Sequence, residues 1–185
     1  MANKHIIVAI YATYDQAEEA FSRLRAKGSD MGLLSCMGRG YWRDMVGSRN
    51  TGNHFHFRGK TGPFWERMWS SLRGWGVFWF FPEGPVLVAG PLVRTIIATQ
   101  EEGNGADHAD GFQAGLSGIG IPAESLVEYE KALIGDQVLV FLQGTLDEIN
   151  NAQDILNETK AINHTIHHDP GVGEEGERNE TVRPN

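Results

Sequence analysis

Apolar and polar positions follow helix and strand rhythms at the two ends of the chain, and the ends match. Near the start, Ile6 to Ile10 form an unbroken apolar run rich in branched residues, which predicts a buried strand. Apolar positions then recur at Ala17, Ala20, Phe21 and Leu24, the spacing of one helix face. Thr13 stands ready to cap that helix, with Gln16 three residues on completing a capping box. Gly28 is placed to end it, and Leu33 to Met37 predict a second strand.

The same series returns near the other end. A shift of 132 positions (145 minus 13) lays Ile6–Ile10 on Val138–Leu142 and Thr13-Tyr14-Asp15-Gln16 on Thr145-Leu146-Asp147-Glu148. It also places Ala20 on Ala152, Leu24 on Leu156 and Leu34 on Ile166. Ile149, Ala152, Ile155 and Leu156 carry the second helical stripe, and Ile162 to His167 the closing strand. Two β-α-β halves, residues 5–37 and 137–168, therefore predict an α+β fold. In the ferredoxin-like arrangement they join into one four-stranded antiparallel sheet with both helices on one side. The opposite face then needs a cover, either from residues 38–136 or from a second subunit.

Residues 38–136 form a long insertion expected to be largely helical. Gly38 to Gly62 is polar and glycine-dotted, with one alternating stretch, Asn53-His54-Phe55-His56-Phe57. Between Phe64 and Phe80 the spacing of Trp65, Met68, Trp69, Leu72, Trp75 and Trp79 predicts a single aromatic helical stripe. Pro82, Gly84-Pro85 and Gly90-Pro91 punctuate the next stretch, with Val86–Val88 a candidate strand. Pro91 opens a short helix through Ile97, Glu101 to Ala106 read as a loop, and helices are expected over His108–Ser117 and Ala123–Ile134. Residues 1–168 then make a single domain. Residues 169–185, acidic and without apolar periodicity, are expected to be a disordered tail.

Composition narrows the function classes. The net charge of -8 and pI near 5.3 exclude the basic footprint that nucleic-acid binding needs. Cys36 is the single cysteine, so no internal disulfide can form, and a reducing, cytoplasmic setting is expected. The first apolar run is too short for a signal-peptide core.

Candidate chemistry is sparse. His54 and His56 share a strand face, and His164, His167 and His168 form a second group. His164 and His168 share parity with Ile162 and Ile166, which places that pair on the half-buried face. Neither group supplies the three or four ligands of a zinc site, so no metal or cofactor is assigned. Arg58-Gly59-Lys60-Thr61 ends like a phosphate loop, but His54 stands where its first glycine belongs. Paired carboxylates such as Glu18-Glu19 and Glu128/Glu130 read as solvated faces, and no catalytic constellation assembles. Trp65, Trp69, Trp75 and Trp79 are the interaction candidates, through packing of a subunit or through a membrane surface.

Thr61-Gly62-Pro63-Phe64-Trp65, Pro85-Val86-Leu87-Val88-Ala89-Gly90-Pro91-Leu92 and Gly118-Ile119-Gly120-Ile121-Pro122 recur in a familiar order. With Tyr129-Glu130-Lys131-Ala132-Leu133 and Gly144-Thr145-Leu146-Asp147-Glu148, the series resembles the bacterial general stress protein family, the heat-induced stress protein or YflT-like group. The resemblance spans residues 5 to 168. It implies ferredoxin-like halves around a glycine-rich centre and a stress-associated role, and it supplies no catalytic residues to carry over. The chain departs from the pattern around Gln100 to Asp110, where the family's Gly/Ala-rich helix is shortened and polar. The expectation is a non-enzymatic homo-oligomer acting through self-association or protein contacts. A small-ligand or metal-binding sensor is the alternative, and a peripheral membrane protein a further one.

Overall fold

The computed structural model describes residues 5–40, 61–80, 84–102 and 111–168. His54 and His56, the Arg58-Gly59-Lys60 stretch and the 169–185 tail lie outside the described residues. In chain order the elements are β1 (His5–Tyr11), α1 (Tyr14–Ala26), β2 (Leu34–Arg39), α2 (Gly62–Ser71), β3 (Trp75–Phe80) and β4 (Gly84–Ala89). They continue with α3 (Leu92–Glu102), α4 (Gly111–Ser117), α5 (Ala123–Ile134), β5 (Val138–Gly144), α6 (Leu146–Asn157) and β6 (Asn163–His167).

The caps fall where the sequence placed them. Thr145 Oγ1 accepts from the Glu148 amide at 3.4 Å while Glu148 Oε2 accepts from the Thr145 amide at 2.8 Å, a complete capping box. At α1 only half the box forms: Thr13 Oγ1 accepts from the Gln16 amide at 3.3 Å, while Gln16 Oε1 is buried with no partner among the described residues. Such caps hold helix ends by about 1 kcal/mol each.

All strand pairs are antiparallel, and the sheet has six strands in the order β3-β4-β2-β5-β1-β6. Four strands were expected in the sheet, with Val86–Val88 as a further candidate strand, and that candidate is β4. The insertion adds β3 and β4 to the edge at β2, so it is less helical than its spacing suggested. The expected Phe64–Phe80 helix is also corrected. It ends at Ser71, because Leu72 takes an extended conformation and Gly74 turns the chain at φ +87°. Trp75 to Phe80 then run as a strand. Helix α3 continues to Glu102, beyond the expected end at Ile97 and into part of the expected loop.

The sheet is sandwiched between two helical layers. One face, with Ile7, Ala9, Cys36 and Val140, packs against α1, α2 and α6 through residues such as Phe21, Trp65 and Ile149. The other, with Val8, Val88, Leu139 and Phe141, packs against α3, α4 and α5 through residues such as Ile96, Leu116 and Leu133. The face opposite α1 and α6 is therefore covered by the chain's own insertion. Cys36 lies fully inside, and burial pushes its thiol up, away from the reactive thiolate.

Candidate functional site

The four candidate tryptophans separate into a core residue and a surface group. Trp65 is buried on the α1/α6 side, with its ring centroid 5.1 Å from Phe64 and 5.9 Å from Tyr14. It stabilises the fold and offers nothing to a partner. Trp69, half-buried at the end of α2, meets the ring of Trp75 at 4.1 Å. Trp75, Val77 and Trp79 alternate along β3 onto one sheet face, while Phe78 and Phe80 turn inward against α3 and α4. Trp79 is 62 % exposed and Val77 43 %.

Among the described residues, strand β3 is the outer strand of the sheet and pairs with β4 alone. Its sequence, Trp-Gly-Val-Phe-Trp-Phe, contains no charge and no proline. Natural edge strands normally carry lysine, proline or a bulge that blocks further pairing. The opposite edge, β6, has the polar sequence Asn-His-Thr-Ile-His. The two edges of one sheet thus differ in chemistry, and the unprotected one is also aromatic.

The histidine group resolves differently from its expected parity. His167 is the buried member, 6 % exposed, and its Nε2 lies 2.6 Å from the Tyr129 hydroxyl of α5. A cleft of about 530 Å3 lined by Ile121, Pro122, Ile166, His167 and His168 opens beside it. Burial holds His167 below the ordinary histidine range. Glu124 and Glu128 on α5 act in the opposite sense, and neighbouring His168 reinforces the depression. Burial likewise pushes the Tyr129 phenol up, helped by the charge of Glu128. The pair is therefore neutral at pH 7 and fastens β6 onto α5, aided by Asn163 Nδ2 donating to Glu128 Oε1 at 2.9 Å.

A pH dependence follows. Unfolded histidine takes up its proton near pH 6.5, whereas folded His167 does so lower. Its contribution is full above about pH 6.5 and is lost as pH falls toward the folded value, at about 1.4 kcal/mol per unit of separation. Denaturant melts at pH 7.5 and 5.0 should show a larger loss in the wild type than in His167→Gln. Equal losses would refute the assignment.

His164, half-buried on β6, stands opposite Ala9. It does not join His168, because four residues of strand separate their Cα atoms by about 13 Å. The partner of His168 is His5, which the sequence reading did not single out: their Nδ1 atoms are 3.2 Å apart and their ring centroids 5.1 Å. The β1/β6 register, with Ile6 opposite His167, brings these two distant histidines together. Among the described residues no three His, Cys, Asp or Glu side chains group around a common point.

A second cleft, of about 510 Å3, lies between the end of α1 and α6. Its acidic groups include Asp30 and Glu148, which accept from the Gly32 and Thr145 amides and so act as caps. Among the described residues no helix is long and apolar enough to cross a membrane. No family model matches the chain, and no curated protein or solved structure shows significant similarity to it.

Proposed function

We propose that the protein is a non-enzymatic, stress-associated homo-oligomer that assembles by pairing β3 with β3 of a second copy. The carrying observation is the uncharged edge strand with Trp79 62 % exposed on it. A two-fold axis through Val77 sets Trp79 of each copy across from Trp75 of the other, building an aromatic cross-strand ladder on one face. Backbone groups along β3 supply the hydrogen bonds of the extended sheet.

The ferredoxin-like duplication belongs to the same reading. The central order β2-β5-β1-β6 interleaves the strands of the two β-α-β halves, as that arrangement requires. The motif order that resembles the general stress proteins supports the stress association.

Native mass spectrometry and sedimentation on the full chain test the assembly. The wild type is expected to be dimeric with a melting temperature that rises with protein concentration, and Trp79→Lys to be a folded monomer whose melting temperature does not depend on concentration. Truncating a central aromatic anchor costs about 2 kcal/mol or more, so dimer dissociation should strengthen by at least about 30-fold. A wild type monomeric at about 100 μM, or a Trp79→Lys dimer, overturns the reading. The second reading, a sensor of small ligands or metals, has the meeting of His5 with His168 in its favour.

A further inference from the structure

We infer that His5 and His168 form a binding site for a late first-row divalent cation, Zn2+, Ni2+ or Cu2+, clamping strand β6 to strand β1. The inference rests on the sensor reading and is independent of β3 pairing, which the oligomer measurement tests separately.

The geometry carries the argument. The two Nδ1 atoms lie 3.2 Å apart. With metal–nitrogen bonds of about 2.05 Å, that separation subtends about 100° at an ion held between them, close to the tetrahedral angle. The ring positions give a further check. Two imidazoles that both aim Nδ1 at one ion on such bonds have centroids about 5.0 Å apart, whereas rings aligned along a straight N–H···N bond would sit at about 5.5 Å. The observed 5.1 Å, with rings 75° apart, is compatible with that convergence and equally with a bent hydrogen bond, one Nδ1–H donating to the other Nδ1, whose proton a bound ion replaces.

The donor set chooses the ion. Two neutral imidazoles suit Zn2+, Ni2+ or Cu2+ and not the oxygen-seeking Mg2+ or Ca2+. Among the described residues no third His, Cys, Asp or Glu side chain is grouped there, so the two imidazoles are the ligands the proposal assigns. The site is also built across the fold. His5 opens β1 and His168 follows β6, so an ion ties together strands from the two ends of the described chain and is held only when β6 is docked.

The test uses the full chain without a polyhistidine tag, titrated with ZnCl2, NiCl2 or MgCl2 and read by native mass spectrometry and calorimetry. One Zn2+ or Ni2+ per chain and no Mg2+ are expected. His5→Ala and His168→Ala should each weaken the dissociation constant at least tenfold, while His164→Ala leaves it unchanged. His5→Gln and His168→Gln, closer in size and polarity, repeat the comparison should an alanine variant fold poorly. Absence of a bound transition ion, or both pairs of variants binding like the wild type, overturns the site.

Discussion

Gly90→Ala is expected to destabilise the protein by about 4 kcal/mol, the strain of a disfavoured backbone added to a core clash. Gly90 joins the end of β4 to the start of α3, where the chain leaves the sheet to cross its face. Its φ is +103°, a region that side chains rarely adopt. A Cβ there would lie 2.3 Å from the Leu34 carbonyl oxygen and 2.7 Å from Ser35 Cα, so backbone and not a flexible side chain must give way. The same corner holds two hydrogen bonds, Gly90 N to Gly74 O at 2.9 Å and the buried Leu92 N to Ser35 Oγ at 3.1 Å. Both would be disturbed. Gly120→Ala is the control: φ is +91° but nothing lies within 4 Å of the added carbon, so only strain of about 1 kcal/mol remains. A fall in melting temperature of about 10 °C for Gly90→Ala beside a few degrees for Gly120→Ala is the expected pattern. Equal shifts would remove the close approach as the cause.

Trp65→Ala is expected to cost about 3–5 kcal/mol and to leave the oligomeric state of the folded fraction unchanged. The indole is 3 % exposed, and an added Cβ on Gly38 would touch its Cζ2 at 3.1 Å, which shows how tightly the site is filled. Removing it opens a cavity between α1, α2 and the sheet. Trp65 Nε1 is buried without an acceptor among the described residues, so the indole carries the cost of an unpaired donor there. Trp65→Phe removes that donor along with part of the volume and should cost only about 1–2 kcal/mol. Denaturant melts of both variants check the order. A Trp65→Phe variant as damaged as Trp65→Ala would show that the ring's volume outweighs the unpaired N–H.

Trp65 and Trp79 together show where the sequence was legible. The two β-α-β halves could be read because each local signal agreed with the fold: apolar runs became β1 and β5, threonines capped α1 and α6, and stripes faced the sheet. The aromatic segment misled because a spacing of four serves both periods. Trp75 and Trp79 share a face on a helix and also on a strand. The glycines at 74 and 76 were the local sign that the helix stops. The histidine groups were less legible. His5 and His168 lie 163 positions apart, and their meeting depends on the β1/β6 register, which neither segment specifies alone. The buried role of His167 depends on α5, whose Tyr129 meets it from the insertion.

The strand order also fixes when the sheet can be completed during synthesis. Strand β1 is the first described strand to leave the ribosome, and its two neighbours, β5 and β6, are the last. More than 120 residues separate Tyr11 from Val138. At 5–20 residues per second, the run Ile6-Ile7-Val8-Ala9-Ile10-Tyr11 waits about 6–25 s for its first pairing partner. Throughout that interval the nascent chain carries an apolar run whose partners in the finished sheet have not been made, the kind of exposed segment that chaperones shield.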